Sequence, residues 1–298
     1  MGLYDFTFYD LINRNAVCFK ENEAWFEVDD NRTLTFSQYK EKVDHLACGL
    51  QKSGIKKGDR IGILGKNSLE YFLLYGAAAA LGAIMLPINW RLSAEEVGFN
   101  LSDCEPKLVF ADQEFQKLVQ GLKEKLASVE NYYNLSPEGG SFHAFDSLMD
   151  NPAEFEPENV SSDDGFVIIH TAAVAGRPRG ALLCHENIAC ADMHFDYLFN
   201  VTPEDVHLNL LPLFHIAGLI MATTSFHAGA LNVNMSKFDA PQAVELIEEK
   251  KVSMLFTFAP ILSSILEQNE KTGKGLKSLR LSSGLDTPET IEKFQQLT

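Results

Sequence analysis

Short apolar runs alternate with stretches of helical period through most of the chain. Thr35 with Gln38 forms a capping-box pattern, and Tyr39, Val43, Leu46, Ala47 and Leu50 follow at helical spacing up to a stop at Gly54. Ile61 to Leu64 reads as a buried strand, Asn67 with Glu70 as the start of a helix that ends near Gly82, and Ile84 to Pro87 as a second strand. Ser93-x-x-Glu96 caps another helix, and Leu108 to Phe110 is a strand. After an irregular connection from about Asn134 to Asp164, anchored by Phe142, Phe145 and Leu148, the alternation resumes. Strands are predicted at Phe166 to Ile169, Ala181 to Leu183, Val206 to Leu211, Leu231 to Val233, Met254 to Phe256 and Leu279 to Leu281. Helices are predicted from Glu186 to Phe199, after Gly218, from Asp239 to Lys250, from Pro260 to Gln268 and from Thr287 onward. The segment before Asn31 shows no clear period. Strands written as short continuous apolar runs, separated by helices, predict an α/β fold with parallel-rich sheets flanked by helices.

Composition narrows the choice of partners. The formal net charge is −16 over 298 residues, and the compact basic groups, Lys52/Lys56/Lys57 and Arg177/Arg179, are too small for a nucleic-acid track. Five scattered cysteines without a C-x-x-C pair suit a reducing cytoplasm. No basic, apolar signal segment opens the chain. The uncharged run from Tyr71 to Ile88 is broken by Gly76, Gly82 and Pro87, so a buried helix followed by a buried strand is expected there, not a transmembrane segment.

The stretch from Asp163 to Asn187 sets a loop of small residues, with Arg177 and Arg179, between two apolar runs. Such a loop lets backbone N–H groups approach an anion closely. By itself, an ordinary hairpin loop explains the same residues.

From Thr33 to Asp112 the order of residues becomes distinctive. Leu-Thr-Phe-Ser-Gln-Tyr, Gly-Ile-Lys-Lys-Gly-Asp-Arg-Ile, Lys-Asn-Ser-Leu-Glu-Tyr, Leu-Gly-Ala-Ile-Met-Leu-Pro-Ile-Asn and Leu-Ser-Ala-Glu-Glu-Val resemble the N-terminal part of the AMP-forming acyl-CoA synthetases and their adenylate-forming relatives. The likeness continues through Leu211 to Leu219, Phe238-Asp239 and Phe258 to Leu262. It implies two stacked αβ subdomains, one over 61–185 and one combining 1–60 with 186–298. It also implies activation of a carboxylic acid, with fatty acids the favoured class, by ATP and Mg2+ to an acyl-adenylate, then transfer to coenzyme A.

The family's phosphate loop, Thr-Ser-Gly-Thr-Thr-Gly-x-Pro-Lys-Gly, is matched by Thr171 to Gly180. Thr171, Gly176, Pro178 and Gly180 are kept, and Arg179 replaces the lysine. Ala172, Val174 and Ala175 replace hydroxyl residues, and each hydrogen bond to a charged group lost this way is worth roughly 1.5–3 kcal/mol. The resemblance therefore implies nucleotide binding through Thr171, Gly176, Arg179, Gly180 and the loop backbone. A non-catalytic acyl-binding or partner-binding relative with a degenerate loop is the alternative. A third reading is an unrelated doubly wound enzyme.

By the same resemblance, Phe214 and His215 line the acyl site, and Ser283-Gly284 corresponds to a glycine-rich turn beside adenine and the acyl tail. His215 alone also reads as a satisfied histidine at a strand end. His185-Glu186 lacks the second histidine of a zinc-protease helix, because position 189 is alanine, and no metal site is expected. There is no Gly-x-Ser-x-Gly nucleophile elbow. The family's Tyr-Gly-x-Thr-Glu segment, ribose-binding aspartate, hinge and catalytic lysine do not occur in these residues. The expectation is the N-terminal portion of a ligase that does not complete adenylation alone, with its catalytic glutamate and lysine elsewhere. A homodimer is compatible with this reading.

Overall fold

The computed structural model describes residues 6–136, 140–151, 155, 157–171, 178–273 and 275–298. In chain order, α1 (Phe8–Cys18) precedes β1 (Glu23–Glu27), β2 (Thr33–Thr35), α2 (Phe36–Lys52), β3 (Arg60–Leu64), α3 (Leu69–Leu81) and β4 (Ile84–Pro87). Next come α4 (Ala94–Cys104), β5 (Leu108–Ala111), α5 (Gln113–Leu122), β6 (Asn131–Asn134), α6 (Asp146–Met149), β7 (Gly165–His170) and β8 (Gly180–Cys184). The remainder is α7 (His185–Phe199), β9 (Val206–Asn209), α8 (Ile216–Ala228), β10 (Leu231–Asn234), α9 (Ala240–Glu249), β11 (Met254–Phe258), α10 (Ile261–Thr272), β12 (Leu281–Leu285) and α11 (Pro288–Leu297).

The strands form two six-stranded sheets, ordered β12-β11-β9-β10-β1-β2 and β6-β5-β3-β4-β7-β8. All pairings are parallel except those at one edge of each sheet, where β1 meets β2 and β7 meets β8 antiparallel. The expected α/β architecture with parallel-rich sheets is the one observed. The strands of the second sheet lie between Arg60 and Cys184, and those of the first lie on either side of that stretch in sequence.

One apolar core joins the sheets. Every residue of α3 is buried, as a helix apolar on all sides requires. The helix packs between α1 and α2 and supplies Phe72, whose ring stacks 4.6 Å from that of Trp25 on β1. Glu70, the acid in this helix, is buried and paired with Arg32 at 2.7 Å, so its charge is not left alone in the core. Smaller apolar clusters lie beyond: β9–β11 against α9 and α10, and β3–β5 against α4 and α5.

Local expectations hold at several caps. Thr35 with Gln38 and Ser93 with Glu96 form reciprocal capping boxes, and Asp239 accepts from Gln242 N–H. Two expectations need correction. Ser68, not Asn67, caps α3, because the Asn67 side chain is used elsewhere. The final strand is displaced: Arg280 is pinned to Asp205 by a bidentate ion pair, and the ladder with β11 begins at Leu281 opposite Met254. Ser283 and Gly284 therefore stand inside β12, opposite Phe256 and Thr257, and not in a turn after a strand. Gly284 has φ +133°, and a Cβ there would lie 1.7 Å from the Thr257 carbonyl oxygen, so only glycine fits the ladder.

Candidate functional site

A cavity of about 830 Å3 opens where the carboxyl ends of strands from both sheets meet. In parallel α/β sheets this is the usual place for a ligand, since chain segments leaving the strands diverge there and expose side chains around a crevice. Each wall is a segment that has just left a strand. Asn67 follows β3, and Asn89, Trp90 and Arg91 follow β4. Leu210 to Pro212, with Phe214 and His215, follow β9. Ser236, Lys237 and Phe238 follow β10, and Ala259 to Ile261 follow β11.

The lining combines apolar bulk with positive charge. Trp90, Phe214, Phe238 and Phe258 supply aromatic surface, and the Arg91 guanidinium sits 4.7 Å from the Trp90 ring centroid and 5.8 Å from that of Phe214. Arg91 and Lys237 are the charged residues among the described lining, which contains no aspartate or glutamate. In a chain of net charge −16, such a lining creates a local field opposite to that of the whole molecule.

The loop between β9 and α8 is fixed from the other sheet. Asn67 Nδ2 donates to the Leu211 carbonyl at 2.8 Å, its Oδ1 accepts from Leu213 N–H at 2.8 Å, and Tyr75 O–H donates to the Leu213 carbonyl at 3.0 Å. Gly218 completes the fit, because a Cβ there would lie 2.3 Å from the Pro212 carbonyl oxygen.

His215 is the N-cap of α8, which starts at Ile216, slightly before the expected helix. Its Nδ1 accepts from Ala217 N–H at 3.2 Å, so the neutral ring carries its proton on Nε2. Partial desolvation lowers its pKa below the ordinary histidine value, while the side chain remains open to solvent.

Glu27, Asn234 and Asn209 face one another across β1, β10 and β9. Asn209 Nδ2 donates to Asn234 Oδ1 at 3.1 Å, and Asn234 Nδ2 donates to the Glu27 carboxyl oxygens at 3.0 and 3.1 Å. Trp25 Nε1 donates to Glu27 as well, but burial dominates and pushes the carboxyl pKa up to about 8.

The other residues singled out from sequence lie elsewhere. Thr171 and Arg179 face each other at the loop end of the β7–β8 hairpin, where Thr171 N–H donates to the Arg179 carbonyl at 3.0 Å. Both are exposed, as is Gly180 at the start of β8, and none of the three lines the large cavity. Gly176 lies outside the described residues. Ser283 and Gly284 border a separate cavity of about 280 Å3 between β12 and α11. Phe214 and His215 are therefore the sequence-derived candidates that the cavity brings together. Sequence reasoning missed Asn67, Trp90, Arg91 and Lys237. A usable signal was present, since each stands a few residues after an apolar strand run, where parallel sheets put their binding groups.

A family profile described as AMP-binding enzyme matches residues 12–298. The chain belongs to the AMP-binding enzyme family. It is 30% identical over 254 residues to an indoleacetate–CoA ligase of Aromatoleum aromaticum, covering 84% of this chain and 49% of that protein. It is 32% identical over 257 residues to a fatty acid–acyl-carrier-protein ligase of Streptomyces coeruleorubidus, covering 84% of this chain and 48% of that one. A crystal structure of a candidate long-chain-fatty-acid CoA ligase from Rhodopseudomonas palustris superposes with a TM-score of 0.92 at 41% identity, over 99% of this chain and 74% of that one. The chain thus spans about half the length of the curated relatives it matches. Among the described residues, no helix is long and apolar enough to cross a membrane.

Proposed function

We propose that this chain carries the acid-binding part of a cytoplasmic AMP-forming acid–thiol ligase, in which a carboxylic acid reacts with ATP to form an acyl-adenylate and pyrophosphate. The acyl group then passes to a thiol, with coenzyme A the favoured acceptor. The observation that carries the reading is the large cavity at the strand ends, with an aromatic wall for an apolar acyl group and cations for an anion. Phe214 and Trp90 would pack against the acyl chain. Arg91 and Lys237 would offset the cost of bringing a carboxylate into a partly apolar space. Fatty and aryl acids both suit this lining.

ATP, with its Mg2+, would approach the hairpin bearing Thr171, Arg179 and Gly180. The exposed Arg179 side chain offers a planar fork suited to phosphate oxygens, where a lysine would offer a point charge. Each sheet with its helices is taken as one subdomain, 61–185 and 1–60 with 186–298, and the acid site lies where they meet. A catalytically silent acyl-binding relative is the second reading. It is favoured by the alanines and valine that replace loop hydroxyls at 172, 174 and 175.

The test is acid-dependent release of pyrophosphate from ATP by the gene's product, over a panel of fatty and aryl acids, with calorimetric titration of ATP and of each acid. Ligase function requires release with at least one acid, and Arg179→Ala should then raise the apparent Kd for ATP about tenfold or more. Acid binding without ATP binding or pyrophosphate release would select the second reading.

A further inference from the structure

We propose that Asp103, Cys104 and His170 form a site for a soft divalent cation of the zinc class, apart from the acid cavity. One ligand atom from each residue can be chosen so that all lie within 4.8 Å of one another. Cys104 Sγ is 3.9 Å from His170 Nε2. Tetrahedral Zn2+, with Zn–S near 2.3 Å and Zn–N near 2.0 Å, sets sulfur and nitrogen about 3.5 Å apart, so only a small closure is needed.

The chemistry of the set is selective. A thiolate with an imidazole favours zinc-class ions over magnesium or calcium, and a carboxylate leaves a fourth position for water. Asp103 and Cys104 are the last residues of α4, where the negative end of the helix dipole favours a cation. Arg60 does not neutralise the thiolate by pairing with it; its Nε donates to the Cys104 carbonyl at 2.7 Å and Nη2 to the Glu105 carbonyl at 2.8 Å. These bonds hold the end of α4 in place. The His170 ring is not committed elsewhere, since its Nδ1 is buried without a hydrogen-bond partner among the described residues.

On binding, the Cys104 thiol loses its proton to solvent and the sulfur lone pair forms the metal bond; no electrons are exchanged with Zn2+. The bond would tie α4 to the end of β7, one residue before Thr171. The site thus acts on the strand that leads into the proposed phosphate loop, and its existence does not depend on ligase activity.

The experiment uses the untagged 298-residue chain, stripped with chelator and titrated with Co2+ and then Zn2+. The proposal expects one Co2+ per chain, a near-ultraviolet thiolate-to-cobalt band, visible bands of four-coordinate intensity, and displacement by Zn2+. Cys104→Ser should abolish the charge-transfer band, and His170→Gln should weaken Co2+ binding at least tenfold. If His170→Gln does not fold, by circular dichroism, the exposed Asp103→Asn change serves as the second arm with the same expectation. Absence of the band in the native chain overturns the site. So does a band that survives Cys104→Ser, which would assign binding to another cysteine, or affinity unchanged by the second-arm substitution.

Discussion

Asn67 and Leu213 meet through a 2.8 Å hydrogen bond that crosses from one sheet's half of the molecule to the other's, with the Asn67 side-chain oxygen accepting from the Leu213 backbone N–H. Asn67 also donates to Leu211, so one buried amide satisfies two backbone groups of a loop that forms the cavity wall. Asn67→Ala leaves both groups without partners, at a cost of about 1–3 kcal/mol for each group that water cannot reach. The urea midpoint should fall accordingly, with acid affinity reduced in the variant. Asn67→Asp should behave differently, because the acceptor toward Leu213 survives and only the donor toward Leu211 is lost. Equal destabilisation by both changes would count against the bridging role.

Glu27 makes stability depend on pH with a definite sign. Its folded pKa, pushed up to about 8, exceeds the unfolded value, so between roughly pH 4.5 and 8 the folded state holds a proton that the unfolded state has released. Stability should decline as pH rises through this window, by at most ~1.4 kcal/mol per unit from this group. Glu27→Gln should remove that decline. The amide ladder can absorb the change: Asn234 and Asn209 can each turn over, giving the Asn209 oxygen, which has no partner among the described residues, a donor. Denaturant titrations from pH 5 to 9 on both proteins provide the comparison.

His215 separates capping from chemistry. His215→Ala should cost about 0.5–2 kcal/mol through loss of the N-cap, while His215→Asn should restore most of it. If the imidazole has a role toward the acid or thiol, the asparagine variant keeps the stability and loses the activity. Because the folded pKa is lowered, the capping contribution is present above about pH 6.5 and is lost as pH falls toward the folded value.

Trp90 offers a direct readout of the cavity. The chain has two tryptophans, and Trp25 is fully buried against Phe72. Acid binding should therefore change emission through Trp90 alone. Trp90→Phe should abolish the response while leaving the spectrum of the buried indole in place. A response that persists in Trp90→Phe would move the acid out of this cavity.

How far the sequence foretold this molecule depends on the scale of the feature. Capping boxes at Thr35 and Ser93 and the apolar strand runs were legible because they are local, with partners three residues apart or side chains of one polarity. The elements before Asn31 were not. Helix α1 shows an irregular pattern because Asn15 is buried to bond the Phe226 carbonyl, and β1 carries Glu27 inward to meet Asn234. Polar residues facing inward break the periodicity on which such a reading rests. Asn67 was misread for a related reason: a residue three before Glu70 looks like a cap until its long-range partners are seen. The cavity itself assembles residues from positions 67 to 261, and no local pattern encodes their meeting.

The placement of the cavity has a consequence for how its preference can change over time. Apart from Phe258, the last residue of β11, its wall residues stand just beyond the strands, and none of them belongs to the shared core around Phe72. A substitution at Trp90, Lys237 or Phe238 reshapes the chamber without disturbing strand register or the aromatic stack around Phe72. If the chamber holds an acid as proposed, its selectivity can shift at these positions within the limits set by the packing of Trp90 on Phe115 and of Phe238 on the β9–β11 cluster, while Asn67 and Gly218 keep the loop between β9 and α8 in place.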